Sequence, residues 1–171
     1  IFYIPFAAFT IISFANAVNI SDGLDGLASG LLLICLVAFL IISGAILDTT
    51  LSTFLGLWIG ALIAFLYFNV FPARIWLGDV GALSFGATLA VFGLLFGKPI
   101  ALAIIGGVFV VEVASSLIQL LSKKFRKKKF FEVSPIHLWL QHKGWEEPKI
   151  VFRFLLVQVI FAVLGLWLSF F

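Results

Sequence analysis

Three short stretches in an otherwise apolar chain hold the residue types that handle charge. The first, Asn16 to Leu27 (NAVNISDGLDGL), sets two carboxylates three residues apart. At a helix start that spacing puts Asp22 and Asp25 on one face, and the glycines admit a close approach by backbone or ligand. Helix capping is the plainer reading, because Ser and Asp favour N-terminal positions and an acidic first turn suits the helix dipole. The residues by themselves leave both open.

The second stretch, Asn69 to Gly81 (NVFPARIWLGDVG), brackets Asp79 with two glycines. A carboxylate on an uncrowded turn beside a helix start suits a hard cation carrying phosphate oxygens, since Mg2+ takes one or two carboxylates and keeps substrate oxygens as further ligands. An ordinary turn is the alternative. The third, Ser134 to Trp145 (SPIHLWLQHKGW), combines His, Lys and Trp, which suit phosphate and base contacts. Aromatic residues and lysines also anchor interfacial helices. Glu112 falls in the middle of an apolar run, where an ionised carboxylate is costly and usually functional or paired. The sequence names no partner for it, so a structural contact is expected, with a cavity wall as the alternative if Gly106 and Gly107 kink the helix. Cys35 lies in an apolar run and is expected only to fill space.

The elements that position these residues follow from composition. Hydrophobic residues make up 63% of the 171, charged residues 11%, and the mean hydropathy is +1.25. A soluble domain of this size does not sustain such values, so the solvent is a bilayer. Spanning helices need roughly 20 mostly apolar residues. Six candidates satisfy this: Ile1 to Val18, Leu27 to Leu47, Leu51 to Phe71, Leu83 to Gly97 (short), Ile100 to Ser122 and Ile150 to Phe171. None alternates with a period of two, so these are helices, and the expected fold is an all-α polytopic bundle of about six spans in a single domain, 1–171. The chain holds no methionine and opens inside an apolar run, so residue 1 is expected to be a truncation point.

Topology follows from the basic residues. Lys123, Lys124, Arg126, Lys127, Lys128, Lys129 and Lys143 are seven of the eleven, and such residues concentrate in cytoplasmic loops. Parity then puts the loops around Asp22, around Arg74 and Asp79, and from Lys123 to Lys149 on the cytoplasmic side, with the turns at Asp48 and Lys98 outside. Anionic lipid binding is a lesser second reading of the basic run.

In order and spacing, four motifs resemble the polyprenyl-phosphate sugar-1-phosphate transferases, above all the branch that handles phospho-MurNAc-pentapeptide: Asn16 to Leu27, Phe71 to Gly81, Gly106 to Glu112 (GGVFVVE), and Pro135 to His137 followed by Lys143 to Pro148 (KGWEEP). The resemblance covers essentially the whole chain, as the C-terminal portion of a longer enzyme. It implies an enzyme of the bacterial inner membrane that moves phospho-MurNAc-pentapeptide from UDP to undecaprenyl phosphate with Mg2+, giving lipid I and UMP, as a homodimer among membrane lipids and with no nucleic acid partner. It further implies that Asp79 ligates Mg2+, that Asn19, Asp22 and Asp25 shape the nucleotide and diphosphate site, and that Asn69 and Gln119 contact the nucleoside side. Trp76 would stack near uracil and His137 would meet the phosphate or sugar region. Asp79, Asp22, Asp25 and His137 are thus the expected catalytic set.

Three positions depart from the family pattern. Its adjacent aspartate pair has no counterpart, so this chain alone is expected to be inactive. Its triple histidine is here His137, Leu138, Trp139, and Ala82 stands where a serine is usual. A GlcNAc-1-phosphate transferase is the nearest rival. A transporter is disfavoured because the carboxylates cluster at one face rather than at mid-membrane, and a noncatalytic scaffold is disfavoured by the intact Asp79 motif.

Overall fold

A computed structural model describes residues 2–171, and among them it contains helices and no strand. The helices are α1 (Tyr3–Ser21), α2 (Leu27–Ala45), α3 (Thr49–Asn69), α4 (Gly78–Leu95), α5 (Pro99–Ile105), α6 (Gly107–Leu121), α7 (Ile136–His142) and α8 (Glu147–Phe170), with a π-helical turn at Ser122–Arg126 extending α6. Five are long and apolar enough to cross a membrane, and α5 with α6 makes a sixth, broken span. The all-α membrane bundle is as expected; the expected start at Ile1 lies outside the described residues.

Two spans differ from expectation in ways that matter for function. The run from Ile100 to Ser122 is not one helix: it bends by 81° at Gly106. Glycine is a weak helix former, and a break at membrane depth is tolerated only where its freed backbone groups are met by protein. Here Gln158 of α8 meets them, its side-chain oxygen accepting from Val108 N–H at 3.2 Å and its amide donating to the Ile105 carbonyl. The fourth span begins at Gly78 rather than Leu83, so Asp79 belongs to the first turn of α4. Gly78, at φ +60°, makes the corner from the 70–77 segment into α4, a conformation that suits a residue without a Cβ.

Helix α2 is central, with Leu27, Leu31, Leu32, Leu36 and Phe39 fully buried between α3 and α8. Ile12, Leu57, Ile63, Ile160 and Val163 face outward, as a bundle solvated by lipid allows. Helices α1 and α4 pack closely, and Gly86 lies directly against the α1 backbone at Phe14 and Ala15. Small residues let membrane helices approach this way. The pair is antiparallel, so the end of α1 meets the start of α4.

The polar loops gather at one end. Asp25 N–H donates to Glu147 at 2.6 Å, and Ala73 N–H donates to Asp25 at 2.8 Å, joining the 22–26 turn to the 70–77 segment and to the start of α8. At the opposite end Lys98 Nζ donates to the Ser169 carbonyl at 2.9 Å. The grouping of loops expected from parity is therefore the one observed.

Candidate active site

Helix α1 stops at Ser21, and residues 22–26 form an irregular turn that reverses the chain into α2. Gly26, at φ +77°, precedes α2, which carries no side-chain cap. Asp22 and Asp25 therefore neither share a helix face nor cap α2, because the i, i+3 relation needs a helix that ends one residue too early. The two carboxylates serve different neighbours instead.

Asp22 turns to α4. Its carboxylate accepts from Gly78 N–H and feels the negative charge of Asp79. Burial pushes the carboxyl above its ordinary range; the Gly78 bond opposes this and the Asp79 charge adds to it. Asn19, on the last turn of α1, donates from Nδ2 to Asp79 Oδ1 at 3.0 Å. Asn19, Asp22 and Asp79 thus converge where α1 ends and α4 begins. No Lys or Arg pairs with either carboxylate among the described residues.

Asp25 turns to the 70–77 segment, accepting from Ala73 N–H with Oδ2 at 2.8 Å and from the Trp76 indole N–H with Oδ1 at 3.0 Å. Trp76 is 65% exposed, its ring face open for stacking. Asn69 is buried: its oxygen accepts from Ser29 Oγ at 2.6 Å and its amide donates to the Ile75 carbonyl at 2.8 Å, so both ends of the amide hold the segment in place. Beside Asp25 a largely apolar cleft of about 230 Å³ opens between α2, α3 and α8, lined by Gly30, Leu66, Phe71, Val151 and Phe152 among others.

The remaining two expected site residues come from α6 and α7, and of these His137 reaches the 22–26 turn, its ring edge against Gly23. Gln119 accepts from Phe130 N–H and Phe131 N–H, both at 2.9 Å, and donates to the Phe131 carbonyl, fastening the end of the basic loop to α6. His137, at the start of α7, is 1% exposed and bonded to Glu112, which gives that mid-helix carboxylate the partner the sequence did not name. Two contacts escaped sequence reasoning. Glu147, which holds the Asp25 backbone, sits in the KGWEEP motif and was assigned no role. Glu132, exposed, lies 2.6 Å from Lys143, whose hydrogen bond and charge hold its carboxyl below the usual range.

Asn19, Asp22 and Asp79 offer oxygen donors only, the chemistry of a hard cation. Among the described residues no group of three or more His, Cys, Asp or Glu converges, so this is not an all-protein cage. Two carboxylates whose mutual repulsion is unrelieved fit a Mg2+ that keeps water and phosphate oxygens as its other ligands.

The glycosyl transferase family 4 profile matches residues 1–97, more than half of the chain. The chain belongs to glycosyl transferase family 4. The match takes in α1 to α4, and with them Asn19, Asp22, Asp25, Asn69 and Asp79. This family 4 chain is 40% identical to the phospho-N-acetylmuramoyl-pentapeptide-transferase of Brachyspira hyodysenteriae (strain ATCC 49526 / WA1), across 97% of its own length and 48% of that protein. It is 38% identical to the protein of that name from Clostridium novyi (strain NT), with 96% and 50% covered, and 40% identical to that of Pelagibacter ubique (strain HTCC1062), with the same shares. The resemblance read from the four motifs is thereby borne out, and the chain spans about half the length of the curated relatives it matches.

Proposed function

We propose that this chain supplies one face of an integral membrane enzyme that transfers phospho-MurNAc-pentapeptide from UDP to undecaprenyl phosphate, releasing UMP and forming lipid I. The observation that carries the reading is the convergence of Asn19, Asp22 and Asp79 at the polar end of a membrane bundle whose relatives bear that enzyme's name.

Phosphoryl transfer is mostly positioning and neutralisation of charge on the moving group. Asp22 and Asp79 would hold Mg2+, which when bound neutralises phosphate charge. Asn19 keeps Asp79 oriented, and Gly78 N–H does the same for Asp22. Trp76, fixed by Asp25, presents an exposed ring on which a base can stack. The apolar cleft beside Asp25 gives a prenyl chain a route along the bundle, so that the acceptor phosphate reaches the polar end without the diphosphate entering hydrocarbon. The polar end faces the cytoplasm, in keeping with its basic loop. The enzyme works as a homodimer.

The test is transfer from UDP-MurNAc-pentapeptide to undecaprenyl phosphate in detergent or liposomes, with the complete protein that contains this chain. Activity lost on removing Mg2+ and in Asp79→Asn supports the assignment. Full activity in Asp79→Asn removes Asp79 from the metal site, and turnover of UDP-GlcNAc in place of the muramoyl donor moves the enzyme to a different substrate class.

A further inference from the structure

Glu112 lies in α6 with no exposed surface, and the proposal above gives it no task. Both its oxygens engage one residue: Oε1 accepts from His137 N–H at 3.2 Å, and Oε2 lies 2.9 Å from His137 Nδ1. No Lys or Arg pairs with Glu112 among the described residues, so the imidazole is its sole ionic neighbour. The pair joins α6 to α7 inside the bundle.

The other ring nitrogen faces a different element. A Cβ built on Gly23 would come within 2.5 Å of His137 Nε2, so the ring edge rests on the 22–26 turn, and only glycine leaves it room. Nε2 bonds to no protein atom among the described residues, and no buried side-chain nitrogen or oxygen there lacks a partner. The slight exposure His137 retains is therefore at Nε2. It falls at Gly23, whose chain neighbour is Asp22.

The bond made by one imidazole nitrogen decides the protonation of the other. A carboxylate on Nδ1 keeps the proton there and leaves Nε2 with its lone pair. We propose that Glu112 is a positioning residue, holding the ring plane and Nδ1–H tautomer of His137 so that Nε2 accepts a hydrogen bond at the Asp22 turn. Such an acceptor suits a hydroxyl or amide N–H of a sugar substrate and is mismatched to phosphate oxygens, which are themselves acceptors. This rests on the reading that the Asp22 and Asp79 end is where substrate binds.

Nitrogen-15 NMR of histidine-labelled protein at pH 8, with the His137 signal identified by its loss in His137→Asn, reads the tautomer directly. We expect protonated Nδ1 and bare Nε2 in the wild type, and loss of that preference both in Glu112→Leu and in Glu112→Gln, whose one carbonyl is claimed by His137 N–H so that its NH2 meets Nδ1. Sugar transfer per folded protein should fall on the order of 10–100-fold in both variants. Protonation of Nε2 in the wild type, whether the ring is neutral or cationic, overturns the proposal even if Glu112→Leu fails to fold. An unchanged tautomer in Glu112→Leu overturns it too. The tautomer is independent of turnover, so a protein with the expected ring and no muramoyl transfer would refute the proposed substrate and leave the positioning role of Glu112 standing.

Discussion

Asn19 and Asp79, sixty residues apart in the chain, meet through a 3.0 Å hydrogen bond because α1 and α4 approach closely enough for the last turn of one to touch the first turn of the other. That approach depends on Gly86, whose missing side chain leaves room for the α1 backbone at Phe14 and Ala15. A larger residue there must push the helices apart, and overpacking of this kind costs about 1–3 kcal/mol. Gly86→Leu is therefore expected to lower the midpoint of thermal unfolding in detergent and to weaken the transfer proposed above. Gly56→Leu, inside α3 at an exposed position with open space around it, is the control: it meets no neighbour and should not destabilise.

Asp22 gives a pH dependence of definite sign. Its carboxyl is raised from the ordinary value of 3.8 by burial, with the Asp79 charge adding to the rise. The native state thus holds the Asp22 proton more tightly than the unfolded chain does. Its contribution to stability is fully present below 3.8 and is lost as pH rises through the raised value. In EDTA, Asp22→Asn keeps an acceptor for Gly78 N–H and removes the charge. It should be more stable than wild type at neutral pH, and the gap should close on acidification. A gap that widens toward low pH would contradict the burial of Asp22 beside Asp79.

Asp25 holds a segment and not a helix cap. Removing its carboxylate in Asp25→Ala frees both the Ala73 amide and the Trp76 indole. Each lost bond to a charged acceptor costs about 1.5–3 kcal/mol locally. Arg74 lies exposed between these two anchors, so trypsin should cut after it markedly faster in the variant. Unchanged cleavage would mean that Asn69, through the Ile75 carbonyl, suffices to hold the segment.

The spans were legible in the sequence because a bilayer demands long apolar runs whatever packs against them, and the gathering of polar loops at one end followed from span parity alone. The division of labour between Asp22 and Asp25 was not legible. Their spacing predicts a shared face only if both lie in one helix, and that depends on where α1 ends. Glu112 stood out as a buried acid, but its partner His137 lies twenty-five residues on, across a loop whose path the sequence does not fix. Glu147 was visible only as part of a motif; its bond to the Asp25 backbone spans 122 residues. The glycine pair marked a possible kink, whereas the residue that makes the kink tolerable is in another helix.

That residue, Gln158, is a polar side chain with no exposure in the middle of α8. Its amide serves the Ile105 carbonyl and the Cys35 sulfur at 3.1 Å, and its oxygen takes Val108 N–H at 3.2 Å. Gln158→Leu keeps the bulk and removes every one of these bonds, leaving Val108 N–H unpaired at membrane depth and the Ile105 carbonyl with only the weak Cys35 thiol. Membrane hydrogen bonds average about 0.6 kcal/mol, yet an unpaired buried group costs about 1–3 kcal/mol, so the net loss is expected at roughly 1–3 kcal/mol. The break between α5 and α6 should then open more often. Cys35, buried and bonded to Ile105 as well as to Gln158, reports that opening through faster alkylation by a small maleimide. Slower or unchanged alkylation, with stability intact, would show that the bend at Gly106 is held by packing of α5 on α8 rather than by Gln158.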